Sequence, residues 1–95
     1  MTITKERAAT VAYGRGRDSY RTPARYAVLD AAGTKVGIIL GSATGYMEST
    51  KWEVCWVSPT TGMPRVVYYA KSYRDAKAWA MAWDGRTNVR PEWRA

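Results

Sequence analysis

Four short apolar runs, paired across two turns, are followed in this chain by a single segment of helical period, and that imbalance limits what the fold can bury. "ARYAVLD" (24–30) and "KVGIIL" (35–40) flank "AAGT", where Gly33 supplies a turn. "KWEVCWV" (51–57) and "MPRVVYYAK" (63–71) flank "SPTTG", whose Pro59 and Gly62 suit a type I turn closing a loop of four or five residues. "SYRDAKAWAMAWDG" (72–85) then carries helix marks at both ends: Ser72 as cap, Asp75 as capping-box acid and Gly85 as terminator. Helical spacing puts Tyr73, Ala76, Trp79, Ala80 and Trp83 on one face and Arg74, Lys77, Ala78 and Met81 on the other. The expected fold is α+β: a four-stranded antiparallel sheet made of two β-hairpins, with one C-terminal helix packed on one face.

The flanks read differently. Residues 1–23 form a basic arm, in which "ITKERAATVAY" (3–13) has the makings of two or three helical turns and "GRGRDSYRTP" (14–23) reads as loop. The sheet-plus-helix domain is expected over 24–85, with 41–50 as a loop, and 86–95 as a tail interrupted by Pro91. Over residues 1–25 six cations stand against two carboxylates, so more than half of the net charge of +7 lies in about a quarter of the length.

Composition narrows the function classes. Ninety-five residues make one domain with a single core, without length for a deep catalytic cleft beside it. The chain has no His and only Cys55 as cysteine, which removes the commonest general base, the usual zinc ligands and any intrachain disulfide. Asp30, Glu48, Glu53 and Asp75 are scattered carboxylates with no metal-ligand spacing, and no Gly-rich phosphate loop is present. The expectation is a non-enzyme with no cofactor and no small-molecule substrate. No apolar run reaches bilayer length and the start lacks a signal-peptide core, so a cytoplasmic protein without membrane contact is expected.

A pI of about 9.9 favours anionic partners, DNA or RNA, or an acidic protein surface. Arg15, Arg17, Arg21 and Arg25 in the arm, with Arg74 and Lys77 on the helix, are the candidate phosphate contacts, and Tyr20 or Tyr26 the candidate stacking groups for unpaired bases. The segment 51–83 resembles the arm-binding N-terminal domain of tyrosine recombinases, through the strand opened by Trp52 and the "A..W" helix of Ala76 and Trp79. It is also similar to the last helix of double-stranded RNA-binding domains, through Ser72, Arg74, Ala76, Lys77 and Ala80. Those resemblances imply a sheet or helix that touches nucleic acid. The Ala/Arg/Trp-rich usage looks like that of small accessory proteins of actinobacterial phages, which implies a host-cell cytoplasm.

A second reading comes from the sheet. Where recombinase arms place Arg and Lys on the open face, this chain has Glu53, Cys55, Val57, Val67 and Tyr69. Alternation puts Cys55, Val57, Val67 and Tyr69 on a face that the lone helix does not cover. The first part of the chain, a second copy, or a host protein can cover it, and in the last two cases the protein is a homodimer or an inhibitor or adaptor. A structural virion component is the third reading.

Overall fold

A computed structural model describes residues 1–7, 10–13, 19–22, 24–41 and 52–94. In chain order the elements are β1 (Thr2–Arg7), β2 (Thr10–Tyr13), β3 (Ser19–Thr22), β4 (Arg25–Leu29), β5 (Lys35–Gly41), β6 (Trp52–Val57), β7 (Pro64–Ala70), α1 (Tyr73–Ala82) and a 3-10 turn, Pro91–Arg94. The fold is α+β with an open antiparallel sheet of five strands, ordered β1-β4-β5-β6-β7, and one α-helix among the described residues. A separate two-stranded ribbon pairs β2 with β3, from Thr10 opposite Thr22 to Tyr13 opposite Ser19.

Both expected hairpins form, and their turns show why. Asp30 Oδ1 accepts from the amides of Ala32 and Thr34, each at 2.9 Å, while Gly33 takes φ +83°. Ser58 Oγ accepts from the amides of Thr60 and Thr61, and Gly62 at φ +73° donates to the Ser58 carbonyl at 2.8 Å. Each turn thus satisfies its own backbone with a short polar side chain and places glycine where the left-handed region is needed.

The fifth strand corrects the reading of the arm. Residues 3–7 and 10–13, the expected helical turns, are strand: β2 pairs with β3, and β1 pairs with β4, Thr2 opposite Leu29 and Thr4 opposite Ala27, with Ile3 packed on the core. Local helix propensity loses here to ladder hydrogen bonds at an open sheet edge, which the β-branched Thr2, Ile3 and Thr4 suit. The part of "GRGRDSYRTP" over Ser19–Thr22 is strand as well, while residues 14–18 and the expected loop at 42–50 lie outside the described residues.

The helix packs as its spacing predicts but ends earlier. Ser72 Oγ accepts from the Asp75 amide at 3.1 Å, and the Asp75 carboxylate accepts from the Lys71 amide and from the Tyr68 hydroxyl. Ala76 and Ala80 are fully buried against Val28, Ile39 and Val54, so the helix axis lies close to the sheet, with Trp83 closing its end. Arg74, Lys77, Ala78 and Met81 are exposed. The Trp83 backbone is extended and its N–H returns to the Ala80 carbonyl, which ends α1 at Ala82, three residues before the expected Gly85.

Candidate nucleic-acid interface

The expected cations divide between two sides of the sheet. Arg15 and Arg17 lie outside the described residues, and Arg21 lies in β3, opposite Val11. Arg25 belongs to the side away from α1, where its Nε donates to Glu6 at 3.1 Å while Lys35 Nζ reaches the same carboxylate at 3.0 Å. The Lys35 hydrogen bond, helped by the charges of Lys35 and Arg25, holds the Glu6 carboxyl below its ordinary range. Arg74 and Lys77 stand on the outer surface of α1, so the fold does not bring them together with Arg25. Tyr26 is not a free stacking group either: it stacks on Tyr73 at 4.5 Å and lies 6.3 Å from Trp52.

The apolar set expected on the uncovered face is dispersed for a physical reason. The register passes from Val54 opposite Tyr68 to Cys55 opposite Val66, leaving Val67 as the extra residue of a β-bulge. That bulge resets the alternation, so Val67 turns to the α1 side and joins the core instead of sitting beside Tyr69. Cys55 is buried in a row with Ala27 and Ile38, at 2–5 % exposure, so this row is not open to water. Only Tyr69, 64 % exposed, and the half-buried Val57 present surface as expected.

Burial pushes the Cys55 thiol up to about 12, with the Glu53 charge adding to the effect and Arg25 opposing it. Cys55 is therefore expected to resist a disulfide reagent at pH 8 in the folded chain and to react stoichiometrically once denaturant unfolds it. Reaction within seconds under native conditions shows the opposite, an open row on that face.

The segment after α1 holds the group that reading from sequence missed. Asp84 Oδ1 accepts from the amides of Arg86 at 2.8 Å and Thr87 at 2.7 Å, and those backbone hydrogen bonds, Thr87 first, keep its carboxyl below the usual range. Trp83 Nε1 donates to the Thr87 carbonyl at 3.0 Å, and Asn88, at φ +66°, donates from Nδ2 to the Val67 carbonyl at 2.9 Å. With Val89 packed on the core, residues 86–94 are docked on the domain and not the expected tail. The 3-10 turn then lays the Trp93 ring near-parallel to Trp56, at 6.3 Å and 21°.

Arginines gather around this tryptophan. The Arg65 and Arg90 guanidinium carbons lie 5.8 and 5.9 Å from the Trp93 ring centre, and Arg86 and Arg94 line a cleft of about 410 Å³ that the ring shares with Val36, Val57 and Pro59. Arg90 approaches Glu92 only at 3.9 Å, with both side chains mostly exposed, an arrangement worth little in water. Among the described residues no carboxylate pairs with the side chains of Arg65, Arg74, Lys77, Arg86 or Arg94. The available signal was Trp93 itself, since a large aromatic in a stretch rich in arginine gains more from docking than from staying in water.

Comparison with protein-family models, curated proteins and solved structures finds no match to this chain. No helix among the described residues is long and apolar enough to cross a membrane. What the interface offers follows from its own chemistry: guanidinium donors around an aromatic ring, with Asp30 and Asp84 also lining the cleft, and no group of three or more His, Cys, Asp or Glu among the described residues that could hold a metal ion.

Proposed function

We propose that this protein is a non-catalytic nucleic-acid-binding module. The observation that carries the reading is a group of cations on the α1 side, Arg65, Arg74, Lys77, Arg86 and Arg94, that form no ion pair among the described residues and gather partly around Trp93. Phosphate is a partner that exposed guanidinium groups fit well, through paired N–H donors. The basic arm gives the reading a second support. The β2–β3 ribbon stands apart from the main sheet, and a lone two-stranded ribbon is marginally stable in water, so a partner that binds it would add order. Arg21 lies on that ribbon, and Arg15 and Arg17 belong to the stretch that joins its strands in sequence.

The alternative, a protein-binding module acting as a phage-encoded inhibitor or adaptor, or as a homodimer, keeps Tyr69 and Val57 as surface groups, while Cys55 is buried and Val67 belongs to the core. It rests on those two residues alone.

The test is a salt titration of binding to labelled mixed-sequence oligonucleotides. Replacing Arg65, Arg86 and Arg94 together by Ala is expected to weaken binding at least tenfold at low salt and to lower the slope of log K against log salt by about one per lost phosphate contact. The Arg15, Arg17 and Arg21 triple alanine variant reads the arm in the same way. Absence of any binding at micromolar protein and low salt removes the reading.

A further inference from the structure

We infer that the cleft beside Trp93 receives an unpaired base, so that the target is single-stranded nucleic acid rather than duplex; this rests on the nucleic-acid reading above. Three features of the cleft favour that occupant. Its volume of about 410 Å³ falls within the range of small-ligand sites, and a planar base with its sugar is a ligand of that class. Its walls are apolar and partly aromatic, from Val36, Val57, Pro59 and Trp93, and Arg86 and Arg94 line it as well. A flat apolar surface flanked by guanidinium groups matches a base flanked by phosphates, since every base offers a π-face and every linkage a negative charge.

Access decides between strand types. A duplex keeps its bases stacked and paired, and delivering one into a cleft requires extruding it at a cost in stacking and pairing. A single strand has no such cost, so the same cleft discriminates between them without reading sequence. The arginines nearest the ring are free to take part. Arg65 is exposed, the Arg90 side chain is 70 % exposed, and both guanidinium groups meet the Trp93 ring through a cation–π contact. Neither lines the cleft itself, so each can stay beside Trp93 and meet the phosphate next to a base that enters. Asp30 and Asp84 also line the cleft, but each carboxylate already accepts two backbone amides of its own turn, which offsets part of its repulsion toward phosphate.

The experiment measures fluorescence anisotropy of the full chain with a labelled oligo(dT) 12-mer, the same length of mixed-sequence duplex, and an acidic poly-glutamate peptide as competitor, all at one low salt concentration. Binding to the single strand at least tenfold tighter than to the duplex is expected, with Trp93→Ala and Arg86→Ala/Arg94→Ala each reducing that preference at least fivefold. Trp93→Ala removes a packing partner of Trp56, so the double arginine variant, whose replaced residues are both exposed, decides the matter if Trp93→Ala does not fold. Equal affinity for the two strand types, an unchanged preference in the arginine variant, or competition by poly-glutamate as effective as by oligo(dT) overturns the inference. Equal binding to single strand and duplex, competed less well by poly-glutamate than by oligo(dT), leaves the nucleic-acid reading standing, whereas no binding to either removes both.

Discussion

Gly37→Ala is expected to lower the midpoint of thermal unfolding by roughly 10–20 °C, from an overpacking cost of about 3 kcal/mol and the usual few degrees per kcal/mol in a domain of this size. Gly37 lies in the central strand, opposite Trp56, and a β-carbon there would stand 2.4 Å from the Cys55 carbonyl oxygen and 3.0 Å from Trp83 Cζ3. The ring tip can give by a few tenths of an ångström; the carbonyl cannot, because β6 is held between β5 and β7 by ladders on both edges. Relief therefore requires opening the β5–β6 pairing or lifting Trp83 from the core. Gly41→Ala is the control. Its added carbon meets only the Trp52 ring, at 3.3 Å, and the expected cost stays below about 1 kcal/mol, since a half-buried side chain can shift. Denaturant melts followed by tryptophan fluorescence measure both, with the midpoint moving and the slope unchanged. A Gly37→Ala protein within about 0.5 kcal/mol of the parent would mean that this strand pair is looser than its geometry implies.

How much of this was legible beforehand follows from the range of each determinant. The two hairpins and the helix carry theirs locally: Gly33 and Gly62 at positive φ, Ser58 and Asp30 closing turns, Ser72 and Asp75 capping the helix, Ala76 and Ala80 at helical spacing. These are written within a few residues and were readable. β1 was not, because nothing inside "TITKER" states that an unpaired β4 edge awaits it. The bulge at Val67 was also hidden, since period-2 counting assumes an uninterrupted ladder and "RVVYY" offers apolar residues for either register. The candidate interface suffered most. Its arginines come from β7 and from the segment after α1, and only the folded chain brings Arg65 to Trp93 across 28 positions. The one local cue was the cost of leaving Trp93 in water.

Trp83→Ala should show how that interface depends on the core. The side chain is 5 % exposed, stacks on Trp79 at 5.7 Å and donates from Nε1 to the Thr87 carbonyl. Truncation to Ala is expected to cost about 3–5 kcal/mol, a large part of the stability of a domain this small. Trp83→Phe separates packing from anchoring: it keeps much of the ring and loses the hydrogen bond, at about 1 kcal/mol plus the smaller volume. The lost bond ties Thr87 to the core, immediately before the Asn88 clamp on Val67 and six residues before Trp93. In Trp83→Phe the amides of Val89 and Trp93, which donate to Arg86 and Arg90, should therefore exchange faster with solvent, while those of Ile39 and Val54 in the sheet stay protected. Under the proposed function, oligonucleotide affinity should fall with the protection of residues 86–94, because a loosened segment must be ordered again on binding. If the Val89 and Trp93 amides exchange as slowly in Trp83→Phe as in the parent, the segment is held by Asn88 and the Trp56–Trp93 contact alone, and the coupling from core to interface does not run through Trp83.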